Sequence, residues 1–226
     1  MKKNIIYFVI LFFAIQNSVL AQKNDAEKSD PKAKILLDKL KKQYDGYKTM
    51  QVEFTLTIEG AENSKPEIQR GKLTQEGEKY YAQMSNQLII SDGKSIWLYQ
   101  KKNNEVQISN ANPDEKDGNM LSPKALIKMY ESGKLRYTLS GDDVEGSRKV
   151  KLIEFKPTDK KADYSKMRLA LDSQTNEVVS LRAFNKDGSR YILKLDKLLT
   201  NKVLEANIFS FDKSKYPNVH VEDLRI

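Results

Sequence analysis

The stretch QLIISDGKSIWLY, residues 87–99, decides how the chain folds. Two apolar runs, Leu88-Ile89-Ile90 and Ile96-Trp97-Leu98-Tyr99, flank Ser91-Asp92-Gly93-Lys94. Asp-Gly between apolar runs is a hairpin signal, because a type I′ turn places both central residues at positive φ. A two-residue Asp92-Gly93 loop pairs Ser91 with Lys94. Side chains alternate across a strand, so Ile89, Ile96 and Leu98 share one face, and Ile90, Trp97 and Tyr99 share the other. Both faces are apolar, unlike a hairpin with one wet face. Either protein covers both, or one lines an apolar cavity, and the functional reading turns on that choice.

Upstream, the period is two from Thr49: Val52, Phe54, Leu56 and Ile58 alternate with Glu53, Thr55, Thr57 and Glu59, the pattern of a half-buried strand. Residues 68–75 and 79–84 read as two more strands joined by Glu76-Gly77-Glu78. Before them, Asp30-Pro31 opens a helix, with Asp30 as N-cap and proline at the first helical position. Its apolar stripe reads Ile35, Leu36, Leu40 and Tyr44, and Gly46 ends it in the left-handed conformation. Residues 22–30 are a polar lead.

Downstream, residues 105–109 give another strand, and residues 110–121 form a long polar loop containing Pro113 and Gly118. Ser122-Pro123 opens a second helix, with Leu126, Ile127, Met129 and Tyr130 apolar and Gly133 as its stop. Strand patterns resume at 135–139, 149–155, 167–171, 178–184 and 191–195. Turn signals separate them at Gly141-Asp142-Asp143, residues 157–159, residues 172–176 and Lys186-Asp187-Gly188. Residues 206–211 and 219–221 are short terminal pieces. A meander of about eleven strands closes into a barrel, pairs as a sandwich, or curls around something else. Amphipathic helices before and within the series favour the third option.

Residues 1–21 read as a cleaved signal peptide: Lys2 and Lys3, an apolar core over 5–15, then Val19-Leu20-Ala21 before Gln22. That places the mature chain, residues 22–226, outside the cytoplasm, as one domain with a sizeable core or at most two small ones. The absence of cysteine excludes disulfides, thiolate metal sites, thiol nucleophiles and a lipidated N-terminal cysteine. The formal charge of +8 falls to +6 without Lys2 and Lys3. Basic and acidic residues are interspersed, which argues against nucleic-acid binding and leaves a solvated mixed-charge surface, with attraction to anionic lipid surfaces or acidic partners as the alternative.

The catalytic inventory is poor. His220 is the sole histidine, so no multi-histidine metal site exists. Ser91-x-x-Lys94 matches a serine–lysine nucleophile pattern by letter, but that chemistry places the pair at a helix start and here the residues sit on a β-turn. No glycine-rich phosphate loop or helical zinc motif occurs. Periodicity alone makes the apolar surplus ordinary core.

Glu53-Phe54-Thr55, Gly71-Lys72-Leu73, residues 88–99, the helix at 122–130 and Phe209-Ser210-Phe211 stand in an order and spacing that resemble the LolA family of lipoprotein carriers. The S-D-G-K-x-hydrophobic-W-x-Y segment, residues 91–99, is the most specific part of the likeness. The resemblance implies an incomplete antiparallel β-barrel whose concave face is covered by a lid of α-helices over a hydrophobic cavity. It implies a periplasmic, non-enzymatic chaperone that binds lipoprotein acyl chains and carries them from the inner to the outer membrane. Its partners would be acylated lipoproteins, an inner-membrane ABC-type transporter, and an outer-membrane acceptor or the membrane itself. The protein would be a monomer without cofactor or metal. The expected cavity residues are Leu36 and Leu40 on the first helix, and Leu126 and Met129 on the second. On the strands they are Phe54, Leu56, Tyr80, Met84, Ile89, Ile96, Leu98, Leu169 and Leu181. The best-studied members carry an arginine where this chain has Glu76-Gly77-Glu78. An envelope lipid- or lipoprotein-sensing protein on the same fold, and a hydrolase with an unrecognised site, are the alternative readings.

Overall fold

The computed structural model of the chain describes residues 29–61, 65–111, 126–127 and 130–225. The leader, residues 112–121, the Ser122-Pro123 helix start and Met129 lie outside the described residues.

Helix α1, Pro31–Asp45, opens as the sequence predicts: the Asp30 carboxylate accepts from the Lys32 amide at 2.8 Å, and proline occupies the first turn. The second carboxylate oxygen of Asp30 accepts from the Leu139 amide at 3.1 Å, so the cap also ties α1 to a strand. Two expectations are corrected here. Gly46 is right-handed, φ −75°, and its amide bonds back to the carbonyls of Lys42 and Gln43. The buried stripe is Ala33, Leu37 and Leu40, whereas Ile35 is 69% exposed. Positions 33, 37, 40 and 44 follow the i, i+4, i+7 spacing of one helical face, and Ile35 lies off it.

Twelve strands follow: β1 Thr49–Glu59, β2 Glu67–Glu76, β3 Lys79–Met84, β4 Gln87–Ser91, β5 Ser95–Gln100, β6 Glu105–Asn110, β7 Leu135–Glu145, β8 Arg148–Pro157, β9 Tyr164–Asp172, β10 Val178–Asn185, β11 Arg190–Thr200 and β12 His220–Asp223. They form one sheet in the order β12-β6-β5-β4-β3-β2-β1-β11-β10-β9-β8-β7. Every neighbouring pair is antiparallel except β12 with β6. The sheet is open, with β12 and β7 at its edges, rather than closed into a barrel.

Two local expectations differ. The β4–β5 loop is longer than a two-residue turn: Ser91 pairs with Ile96, not Lys94. The Asp92 carboxylate accepts from the amides of Lys94 and Ser95, both at 2.8 Å, and among the loop residues Gly93 has positive φ, +89°. These side-chain bonds compete with the I′ geometry. The register moves by two residues, an even number, so every side chain keeps its face. Gly141-Asp142-Asp143 is not a turn. It lies inside β7 as a bulge with Gly141 at φ +128°, and the chain reverses at Gly146. Residues 206–209, in one of the short terminal pieces, are turns.

The main core lies on the α1 side of β7–β11 and β1. It joins Leu37 and Leu40 to Val52, Ile153, Phe155, Met167, Leu169, Leu181 and Leu195. The helical residues Leu126, Ile127 and Tyr130 belong to the same cluster. Gln43 donates to the Thr175 carbonyl at 2.9 Å, and Asn176 to the Leu36 carbonyl at 3.2 Å, fixing α1 over the β9–β10 turn. A second cluster lies on the opposite face of β4–β6, where Leu88, Ile90, Tyr99 and Val106 meet Phe211, Tyr216 and Val219 of the C-terminal segment. The Phe211 and Tyr216 rings stack at 4.8 Å, and Tyr216 lies 4.4 Å from Tyr99.

Candidate functional site

The paired register places nine sequence-predicted residues on a single face, the one carrying α1. Leu56 and Phe54 stand on β1, and Phe54 pairs with Gly71, which pairs with Met84. Leu73 pairs with Ala82, Ala82 with Ile89, and Ile89 with Leu98. Tyr80 pairs with Ser91 and Ser91 with Ile96. On the far side of β1, Leu193 pairs with Leu181 and Leu181 with Leu169. Period-two alternation along the stretches that carry these residues, with an even shift at the β4–β5 loop, brings them together.

The face has two halves. Leu40, Leu126, Leu169 and Leu181 are each 0–1% exposed and pack solidly in the main core. Leu36, Phe54 and Leu73 are half-buried at its margin. Leu56, Tyr80, Met84, Ile89, Ile96 and Leu98 are half-buried too, and among the described residues they belong to none of the buried clusters. They form an apolar tract continuous with the core over strands β1 and β3–β5. The described helical residues pack with the other half of this face.

Two features shape the tract. Gly71 lets Phe54 lie across β2: a Cβ there would stand 2.8 Å from the Gln83 carbonyl oxygen and overlap the Phe54 ring. Tyr80 keeps its hydroxyl neutral, since burial pushes its pKa up more than its hydrogen bond with Ser91 lowers it. Asp92 sits at the loop. Burial pushes its carboxyl upward, but the Ser95 and Lys94 amides outweigh that and hold it below the usual range. Leu73 and Ala82 were missed by sequence reasoning; alternation from Tyr80 and Met84 includes Ala82, whereas Leu73 joins the face through its pairing with Val52. Among the described residues no group of three or more His, Cys, Asp or Glu side chains is placed to hold a metal ion. His220 lies exposed on the edge strand β12. A separate hollow of about 580 Å³ lies between Thr49, Glu76, Lys79, Asp92 and the Lys202–Phe209 stretch. Its charged rim sets it apart from the apolar tract. No described helix is long and apolar enough to cross a membrane.

The described residues thus form an open, almost wholly antiparallel sheet with helical residues on part of one face and a half-buried apolar tract on the rest of that face. Residues 45–212 match the family model described as outer membrane lipoprotein carrier protein LolA, and the chain belongs to that family. An outer-membrane lipoprotein carrier protein of Legionella pneumophila (strain Lens) is 26% identical over 130 residues, 57% of this chain and 60% of that protein. The match thus spans under two thirds of the curated relative. An uncharacterized conserved protein from Thermus thermophilus has a similar fold, with 10% identity, TM-score 0.55, and coverage of 85% of this chain and 99% of that one. A LolA superfamily protein from Nitrosomonas europaea aligns with TM-score 0.42 at 12% identity, over 79% of this chain and 97% of that one.

Proposed function

We propose that the protein is a periplasmic carrier that takes up lipoprotein acyl chains on the tract formed by Leu56, Tyr80, Met84, Ile89, Ile96 and Leu98. The observation that carries this reading is the tract itself: six neighbouring apolar side chains, half-exposed, on a face whose other half is closed core. Each acyl CH₂ left in water costs about 0.8 kcal/mol. A multi-chain anchor crossing water unshielded therefore faces a barrier on the order of tens of kcal/mol. A surface that accepts the chains lowers this barrier with no bond made or broken. Tyr80 and Met84 suit a variable ligand, the first amphipathic and the second adaptable in shape. In this reading the chain is exported after cleavage near Ala21, loads from an inner-membrane transporter and delivers to an outer-membrane acceptor.

Mass spectrometry of gently purified mature protein tests the proposal. Acylated lipoprotein is expected to co-purify with the wild type and to be lost from Ile96→Glu and Leu98→Glu, with circular dichroism unchanged. Recovery of an envelope protein without acyl chains, undiminished in both variants, would favour a sensor on the same fold and sink the carrier reading.

A further inference from the structure

A row of cations crosses the sheet on the face opposite α1. Arg136 pairs with Lys156, Lys166 pairs with Phe184, and Phe184 pairs with Arg190. Lys156 follows Phe155, the partner of Met167, and so stands beside Lys166. Strands lie about 4.8 Å apart, so four cations and one aromatic ring fall in line within roughly 19 Å. Glu59, paired with Arg190, closes the row. The next row adds Arg168 and Arg182, paired to each other.

Two acidic residues of this region, Glu145 and Glu154, are tucked beneath the cations, and the third, Glu59, 34% exposed, pairs with Arg190 at 3.7 Å at the end of the row. The side chains of Glu145 and Glu154 are 13% and 16% exposed, against 58% for Arg190 and 69% for Lys156. Glu154 binds Lys166 at 2.9 Å and Arg168 at 3.4 Å, and Glu145 binds Arg182 at 2.8 Å. Phe184 holds the heads together: Lys166, Arg168 and Arg190 lie 5.2, 5.8 and 5.9 Å from its ring centroid. The outermost charge is therefore positive and prearranged.

We infer that this row is a docking surface for an extended acidic segment of a partner protein. The inference is independent of the cargo reading, which concerns the other face. A line of cations matches a linear array of carboxylates, and the guanidinium of Arg190, 58% exposed, suits bidentate pairing. A lipid bilayer fits less well. It would engage a planar array and draw in an apolar anchor, but Phe184 is half-buried beneath its three cations. The formal charge, +6 without Lys2 and Lys3, further speeds encounter with an acidic partner.

Fluorescence anisotropy with labelled poly-L-glutamate tests this on the mature chain. Binding is expected, weakening steeply between about 0.05 M and about 0.3 M salt. Lys156→Glu with Arg190→Glu is expected to weaken it about tenfold, and the neutral pair Lys156→Gln with Arg190→Gln about threefold. The control pair Lys39→Glu with Lys42→Glu, on the exposed side of α1, makes the same change in net charge and is expected to cost less than about twofold. The neutral pair preserves the test if charge reversal disturbs the fold, which circular dichroism reads. Absence of binding, or equal loss in the control pair, overturns the proposal. So does equal or tighter retention by phosphatidylglycerol vesicles or polygalacturonate, which would assign the row to another class of polyanion.

Discussion

Gly71 shows how much one residue decides. It sits mid-strand, where glycine weakens a sheet, and its use is close approach rather than backbone freedom. Gly71→Ala puts a methyl group 2.8 Å from the Gln83 carbonyl and into the Phe54 ring, where neither flexible side chain nor open space absorbs it. A destabilisation of about 1–3 kcal/mol is expected, read as a lower urea midpoint with unchanged slope. Adding Phe54→Ala should recover only part, because the carbonyl clash is backbone. A Gly71→Ala variant as stable as the wild type would refute this packing. The sequence shows a glycine in a strand pattern; it does not show which ring lies over it, because Phe54 is distant in the chain and its neighbour is set by pairing.

Between elements, the link from α1 to the helical residues Tyr130 and Glu131 is polar as well as apolar. The Tyr130 hydroxyl donates to Asp38 at 2.6 Å, Lys34 pairs with the same carboxylate at 2.6 Å, and Lys41 lies 3.6 Å from Glu131. Burial first, then the Asp38 carboxylate, pushes the Tyr130 hydroxyl up to about 12. The Lys34 and Tyr130 hydrogen bonds hold Asp38 below the usual range. Because the folded value of Tyr130 exceeds the ordinary one, its contribution is complete below about pH 10 and is lost as pH rises toward about 12. Asp38 works in the opposite sense: its contribution is present above the ordinary aspartate range and lost as pH falls through its lowered value. The difference between the ultraviolet titrations of wild type and Tyr130→Phe should show one tyrosine ionising near about 12, moved downward by Asp38→Asn. Titration at the ordinary value would show that the link does not form. Periodicity finds both helices, yet the Asp38–Tyr130 contact joins residues 92 positions apart, and nothing local encodes it.

For the molecule as a whole, the division of one sheet face into closed core and open tract should appear as two classes of mutation. Leu181→Ala, in the closed half, is expected to cost about 2–5 kcal/mol. Leu98→Ala, in the open half, should cost less than about 1.5 kcal/mol, since a half-exposed side chain leaves no sealed void. Denaturant unfolding of the two variants compares them directly, and equal losses would mean that the tract is ordinary core. The sequence by itself determined the strand series, the capped first helix, the two apolar faces of the 87–99 hairpin and the membership of each face. Alternation is a local property, and the misread β4–β5 loop shifts register by two and leaves it intact. Tertiary structure alone decided that the sheet stays open between β12 and β7, that the C-terminal aromatics seal the far face of β4–β6, and that Leu40, Leu126, Leu169 and Leu181 are core while Ile89, Ile96 and Leu98 are not. The reason is physical: a side chain's face follows from its own strand, whereas what covers that face depends on segments a hundred or more residues away.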